Sequence, residues 1–164
     1  MWNLPIDWNA MKEKLEIPIK PLHSNFVCPE YAHEGDAGMD LYSTEAFTLN
    51  PGEYKKINCG FSIAIPEGFL GAVAPRSGLA HQYGVTVLNS WGVIDSTYRG
   101  NIGVILMNLG QETVTFPVKS RIAQLIIMPC QKVELIPTEN DLNTSERGIN
   151  GFGSTGLKMR RKYE

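Results

Sequence analysis

Short apolar runs separated by turn residues restrict this chain to an all-β architecture. Breaks such as Asn50-Pro51-Gly52 and Pro66-Glu67-Gly68 recur about every ten residues. We predict one strand after Asp36 and further strands over 54–65, 69–74, 85–88, 102–108, 113–118, 122–128 and 133–136. Strands this short favour an antiparallel β-barrel or sandwich over alternating βαβ units.

The two ends of the chain differ from its β-rich middle. We expect an N-terminal extension over 1–15 with a short helix, a β-domain over 16–136, and a C-terminal arm over 137–164. One further short helix is predicted from Ser77 to just before Gly84. The arm is polar and Gly-rich, which is typical of a disordered terminus and also of a lid.

Composition excludes several classes of function. The chain has 164 residues, 43% of them hydrophobic, and a formal net charge of −2, which suits one globular domain and argues against bulk electrostatic binding of nucleic acid. The three cysteines form no C-x-x-C pair, which fits a reducing compartment. No apolar run is long enough for a membrane span and no signal peptide is recognisable, so we expect an intracellular, cytoplasmic protein.

Segment 89–100 carries the first candidate site. It breaks two apolar runs at Asn89-Ser90 and then presents Asp95, Tyr98 and Arg99, which predicts a β-hairpin with a carboxylate, an aromatic ring and a cation beside its turn. Such residues suit a ligand, although an acid beside a turn is more often a solvated surface residue.

The arm contains Gly151-Phe152-Gly153-Ser154-Thr155-Gly156, a literal G-x-G-x-x-G. A dinucleotide fold is excluded because only eight residues follow Gly156, and a Walker A loop is excluded because no lysine follows it. Glycine N–H groups, two hydroxyls and the upstream Arg147 still suit a phosphate.

Two further segments offer groups for an anion. Arg76 and Ser77 stand where the internal helix is predicted to begin, and either bind phosphate or serve as a surface residue and an N-cap. Gln124 interrupts the apolar strand 122–128, and is either a ligand or a satisfied polar residue within a strand. Together these groups suit hydrolysis of a nucleotide.

With these segments in order, the sequence resembles the trimeric deoxyuridine triphosphatases (dUTPases). Five motifs carry the resemblance, which spans 17–156: 37–41 (Ala-Gly-Met-Asp-Leu), 75–80 (Pro-Arg-Ser-Gly-Leu-Ala), 92–100 (Gly-Val-Ile-Asp-Ser-Thr-Tyr-Arg-Gly), 121–125 (Arg-Ile-Ala-Gln-Leu) and 147–156 (Arg-Gly-Ile-Asn-Gly-Phe-Gly-Ser-Thr-Gly). The resemblance implies a distorted jelly-roll-like β-fold and a homotrimer whose active sites lie between subunits, with the arm closing over a neighbour's site.

The implied reaction is hydrolysis of dUTP to dUMP and pyrophosphate, with Mg2+ on the triphosphate. By this resemblance Asp95 is the general base, Tyr98 lies against the deoxyribose, and Asn89 with the main chain at Val93, Ile94 and Gly103 reads uracil. Arg76, Ser77, Gly78 and Gln124 would hold the α- and β-phosphates. Arg147, Gly153, Ser154 and Thr155 would clamp the γ-phosphate, Phe152 would stack on uracil, and Asp40 would reach the magnesium only through water.

The chain departs from the family pattern at Met39, Trp91 and Thr97, and Trp91 is expected to change the shape of the hairpin tip. The alternatives are a dCTP deaminase of the same fold and a regulatory nucleotide-binding protein. A deaminase would need a Glu on the strand after the hairpin, and 101–107 contains none.

Overall fold

The computed structural model describes residues 14–151, and the structural statements below concern these residues. One compact unit ends at Lys132 and a second begins at Val133. The N-terminal helix predicted over 1–15 lies outside the described residues except at Lys14 and Leu15, which are exposed and not helical.

The first unit is built from short strands and one helix, as predicted. In chain order the elements are β1 (Ile19–Pro21), β2 (Met39–Tyr42), β3 (Phe47–Leu49), β4 (Tyr54–Asn58), β5 (Phe61–Ile63), β6 (Phe69–Ala74), α1 (Ser77–Tyr83), β7 (Val85–Val87), β8 (Gly92–Ile94), β9 (Gly103–Asn108), β10 (Val114–Phe116) and β11 (Arg121–Pro129). The predicted internal helix is confirmed, because α1 begins at Ser77 and ends at Tyr83. Gly84 follows as the C-cap in the left-handed conformation that favours glycine.

All strand pairs are antiparallel. Four strands form one sheet in the order β2-β11-β6-β8, and three form another in the order β4-β9-β7. The pairs β1-β5 and β10-β3 complete the described strands. Strand β11 is the longest described strand and pairs with β2 on one side and β6 on the other. It thus holds together segments from the early, middle and late parts of this unit's sequence.

Inward-facing residues of the two larger sheets form one core. Leu41, Ile122 and Leu125 contribute from the first sheet, and Val104 and Leu106 from the second, each almost fully buried. On β9 the burial alternates at period two, as expected for a strand with one face on a core.

Three sequence predictions differ from the structure. The run 54–65 is divided at Gly60, which has φ +74°, and a Cβ there would lie 2.5 Å from Cγ2 of Thr44. The segment between β7 and β9 is not a simple hairpin loop, because β8 leaves it to pair with β6. The strand predicted over 133–136 has no pairing partner in the described chain, and Val133, Leu135 and Ile136 are 75%, 88% and 80% exposed.

We expect Leu125→Ala to lower the free energy of unfolding by about 2–5 kcal/mol, because it leaves a cavity beneath the central strand. The matched variant Leu109→Ala removes the same atoms from a side chain that is 65% exposed, and should change it by less than about 0.5 kcal/mol. Urea unfolding of both variants measures the difference. Equal effects of the two substitutions would contradict the assigned core.

Candidate active site

Strand β11 brings three of the predicted segments together. Gln124 pairs with Asp40 of β2 on one side and with Ala74 of β6 on the other. Arg76 follows Ala74 by two residues, so it emerges from the same end of the sheet. Gly38, just before β2, lets the chain pack closely against Gln124, since a Cβ at Gly38 would lie 3.1 Å from Cβ of Gln124. We call Asp40, Arg76, Arg121 and Gln124 the Asp40 cluster.

A buried carboxylate lies at the centre of the Asp40 cluster. Asp40 is 4% exposed, with Nε of Arg76 3.0 Å from Oδ1 and Nη1 of Arg121 3.3 Å from Oδ2. The Arg121 contact is a hydrogen bond, whereas the Arg76 contact is an ion pair without hydrogen-bond alignment, so Oδ1 keeps its capacity to accept a hydrogen bond. Nη1 of Arg76 also donates to the Arg121 carbonyl at 3.3 Å.

The pKa of Tyr42, a neighbour of the Asp40 cluster, is shifted. Burial, and then the negative charge of Asp40, raise the pKa of Tyr42 on the same strand. A phenol is neutral at pH 7 with or without this rise in pKa, so Tyr42 adds no negative charge to a site that carries two guanidinium groups.

Helix α1 begins immediately beside the cluster. Arg76 is the N-cap residue and makes no side-chain cap bond, while Ser77 is the first helical residue, so Ser77 is not the N-cap that one sequence alternative proposed. Ser77 and Gly78 are exposed, and nothing lies within 4 Å of a Cβ placed on Gly78. The first N–H groups of a helix lack intrahelical acceptors. An exposed hydroxyl and N–H groups without intrahelical acceptors therefore lie next to Arg76.

Gln124 lies on the face of β11 that turns away from the core. It is half-buried between the fully buried Ala123 and Leu125. A register shift between Arg121 and Ala123 marks a β-bulge, a feature that re-aims side chains at functional sites. Side chains alternate between the two faces of β11, so a polar residue at 124 points away from the core. The bulge lies next to Arg121, whose side chain contacts Asp40.

The turn after β8 presents Asp95 and Tyr98. Asp95 is exposed, and no hydrogen bond or ion pair engages its carboxylate within residues 14–151. The Tyr98 hydroxyl donates to the Asn101 carbonyl at 3.1 Å, which fixes a ring that is 44% exposed. Gly100 makes room for that ring, since a Cβ there would lie 2.6 Å from Cζ of Tyr98.

Arg99 has a structural role that the sequence did not indicate. Its Nη1 donates to the carbonyls of Ser96 at 2.6 Å and Tyr98 at 2.8 Å. The guanidinium thus closes the turn on which Asp95 and Tyr98 stand.

The remaining residues predicted to read the base lie around β8 and β9. Asn89 is exposed and close to Gly92, where a Cβ would lie 3.4 Å from Nδ2 of Asn89. Val93 is 59% exposed and Ile94 is buried. Gly103 begins β9 beneath the stem of Lys56, whose Cε would lie 2.6 Å from a Cβ at that position, and the sequence offered no sign of this contact.

The Asp40 cluster and Asp95 lie far apart within one chain. Ile94 pairs with Gly71 of β6, whereas Gln124 pairs with Ala74, three residues further along at the end of the same strand. Asp95 is therefore about 13 Å from Gln124 along the strands and about 10 Å across them, by ordinary strand dimensions. The structure does not unite the predicted base and the predicted phosphate ligands within one copy.

In the second unit, Arg147 lies in a short turn. Nε of Arg147 donates to the Asn150 carbonyl at 2.8 Å, and the Gly148 N–H meets the carbonyl and hydroxyl oxygens of Ser145 at 3.1 Å each. Arg147 is exposed. The predicted ligands Phe152, Gly153, Ser154 and Thr155 lie outside the described residues.

Within residues 14–151, no group of three or more His, Cys, Asp or Glu side chains is close enough to hold a metal ion. Within the same residues, no helix has the length and apolar character needed to cross a membrane.

Comparisons with known proteins agree on one family. The dUTPase family model matches residues 24–156. The deoxyuridine 5'-triphosphate nucleotidohydrolase of Trichodesmium erythraeum is 46% identical over 142 residues, 87% of this chain and 99% of that protein. The protein of the same name from Ehrlichia canis is 45% identical over 153 residues, 90% of this chain and 100% of that protein.

Solved structures give the same result. The dUTPase of Staphylococcus bacteriophage 80alpha with dUPNHPP is 31% identical with a TM-score of 0.78, covering 88% of this chain and 100% of that chain. A mutant dUTPase from phage phi11 of S. aureus, described with a coordinated structural Mg(II) ion, is 26% identical with a TM-score of 0.72, covering 77% and 98%. These likenesses confirm the predicted jelly-roll-like β-fold, and the chain belongs to the dUTPase family.

Proposed function

We propose that this protein is a dUTP diphosphatase, which hydrolyses dUTP to dUMP and pyrophosphate and thereby keeps uracil out of DNA and supplies dUMP for dTMP synthesis. The family match over 24–156, the shared name of its relatives and a solved neighbour carrying dUPNHPP support this assignment. The observation that carries it is the Asp40 cluster: two guanidinium groups, a strand glutamine and exposed helix-start donors meet at one end of a sheet.

The Asp40 cluster is our proposed site for the α- and β-phosphates. Arg76 and Gln124 supply charged and amide donors, and Ser77 with the Gly78 main chain supplies a hydroxyl and N–H groups. A guanidinium suits phosphate because its planar fork matches two oxygens at once. In-line attack at phosphorus requires mainly positioning and charge stabilisation, which such a cluster provides.

The segment 89–100 is our proposed site for the base, the sugar and the attacking water. Asp95 acts as general base, a role that its exposed and unengaged carboxylate permits. Tyr98, held by Asn101, lies against the deoxyribose and leaves no room for a 2′-hydroxyl. Asn89 and the main chain at Val93, Ile94 and Gly103 read the edge of uracil.

The separation of Asp95 and Gln124 supports a shared active site. It favours an arrangement in which a triphosphate held by the Asp40 cluster of one copy meets the hairpin of a second copy. We therefore propose a homotrimer with inter-subunit sites. The exposed apolar side chains of Val133, Leu135 and Ile136 support an exchange between copies, because large apolar groups at 75–88% exposure favour a partner surface.

The arm is our proposed lid over a neighbour's site. Arg147, Gly153, Ser154 and Thr155 clamp the γ-phosphate, and Phe152 stacks on uracil. Arg147 is exposed, so its guanidinium is accessible to a ligand.

Magnesium enters as part of the substrate, bound to the triphosphate. The described residues fit such an ion, because the buried Oδ1 of Asp40 has no hydrogen-bond partner among them and would accept one from a metal-bound water. When bound, the ion neutralises charge on the pyrophosphate leaving group.

Asp95→Asn should lower the dUTP turnover rate by about 10²–10⁴-fold, since the amide cannot accept the proton of the water. Pyrophosphate release measures this for dUTP, dCTP, dTTP and UTP in turn, and dUTP alone should be turned over rapidly. Asp36→Asn is the matched control, because Asp36 is an exposed acid of a separate loop. Full activity of Asp95→Asn, or equal turnover of dUTP and UTP, would contradict the mechanism.

Truncation after Glu146 should leave a folded oligomer with a severely reduced dUTP turnover rate, because Arg147 and the Gly-rich motif are lost together. Size-exclusion chromatography and the thermal midpoint report assembly and folding. Truncation after Gly156 is the control, since it keeps the motif and removes only the final basic residues. A normal rate after the longer truncation would show that the arm is not a lid.

A further inference from the structure

Asp40 poses an electrostatic problem for the proposed phosphate site. It is the one carboxylate that is buried among residues 14–151, and it lies 3.0 Å from Arg76, the residue expected to attract phosphate. A carboxylate and a guanidinium at that distance form a neutral pair. Such a pair holds Arg76 in place, but it attracts an oligophosphate weakly, because the two charges nearly cancel at longer range.

Arg121 restores the missing positive charge. Its Nη1 donates to Oδ2 of Asp40 at 3.3 Å, while Arg76 contacts Oδ1, so one negative charge stands between two positive ones. The group as a whole carries one net positive charge. The Arg121 side chain is 51% exposed and the Asp40 side chain 5% exposed, so Arg121 approaches the carboxylate from the solvent side.

The contacts also set the orientation of Arg76. Its Nε faces Asp40 and its Nη1 donates to the Arg121 carbonyl. Its Nη2 has no hydrogen-bond partner within the part of the chain that the structure describes. The contacts at Nε and Nη1 fix the plane of the guanidinium, and the N–H groups of Nη2 are left for a ligand.

We propose that Arg121 is a positioning residue of the phosphate site. Its guanidinium neutralises Asp40, so that Asp40 can hold Arg76 in place without cancelling the charge that the oligophosphate of the nucleotide meets. This inference rests on the proposed function for the identity of the substrate, and on the described ion pairs for the roles of Asp40 and Arg121.

Variants that change the net charge of the Asp40–Arg76–Arg121 group test this role of Arg121. Arg121→Gln leaves Asp40 and Arg76 as a neutral pair, and should weaken binding of inorganic tripolyphosphate about tenfold, as expected for one lost charge near a partly exposed site. Arg121→Lys keeps the charge and should stay within about threefold of the wild type. The double variant Asp40→Asn/Arg121→Gln regains one net positive charge on Arg76 and should bind more tightly than Arg121→Gln alone.

Isothermal titration calorimetry with tripolyphosphate in EDTA measures these affinities without magnesium and without turnover. Lys132→Gln is the control, because it removes an exposed cation whose contact is Glu67. For Mg-dUTP, the Arg121→Gln loss should appear as a larger change in KM than in kcat. Thermal unfolding identifies a misfolded double variant, and the comparison of Arg121→Gln with Arg121→Lys then decides alone.

Three results would overturn the inference: unchanged affinity in Arg121→Gln, equal losses in Arg121→Gln and Arg121→Lys, or a folded double variant that binds no better than Arg121→Gln. The last result would mean that Arg121 ligates phosphate itself. A wild type that binds no tripolyphosphate would overturn it as well. These outcomes are separable from the proposed function, because dUTP turnover by the wild type is measured independently.

Discussion

The double pairing of strand β11 is the constraint on which the rest of the structure depends. By hydrogen bonding to β2 on one side and β6 on the other, this strand fixes Gln124 beside Asp40 and Ala74. The position of Arg76 is then fixed by two constraints: it follows the end of β6 by two residues, and its guanidinium contacts the Asp40 carboxylate. Residues separated by more than eighty positions thus form one cationic site, and the core side chain of Leu125 anchors the strand beneath it.

The same sheet separates the proposed phosphate site from the proposed base. Strand β8 runs along β6 in the antiparallel sense, so Asp95 lies near the end of β6 that is remote from Arg76. In the proposed mechanism both groups act on one nucleotide, and this separation favours a site shared by two copies of the chain. Oligomerisation is in this account a requirement of catalysis, and the exposed apolar residues after β11 are available to support it.

The sequence predicted most of the fold because its information is local. Turn residues and alternating apolar residues located most strands, and Gly84 located the end of α1. Predictions that depend on distant contacts were wrong. The segment that forms strand β8 was predicted as part of a hairpin loop. Segment 133–136 was predicted as a strand, although it has no pairing partner in the described chain. The motifs indicated Arg76 and Gln124, but the link of Arg121 to Asp40 depends on pairing across the sheet. The turn-closing role of Arg99 required coordinates as well.

Complementation between two inactive variants tests the shared site most directly. Arg76→Ala and Asp95→Asn each disable one half of the proposed site, and refolding an equal mixture allows mixed trimers to form. If the halves come from different copies, about a quarter of the sites combine an intact Arg76 with an intact Asp95, and dUTP turnover should recover toward that fraction. Refolded mixtures that form mixed trimers but remain as inactive as either variant alone would contradict the account.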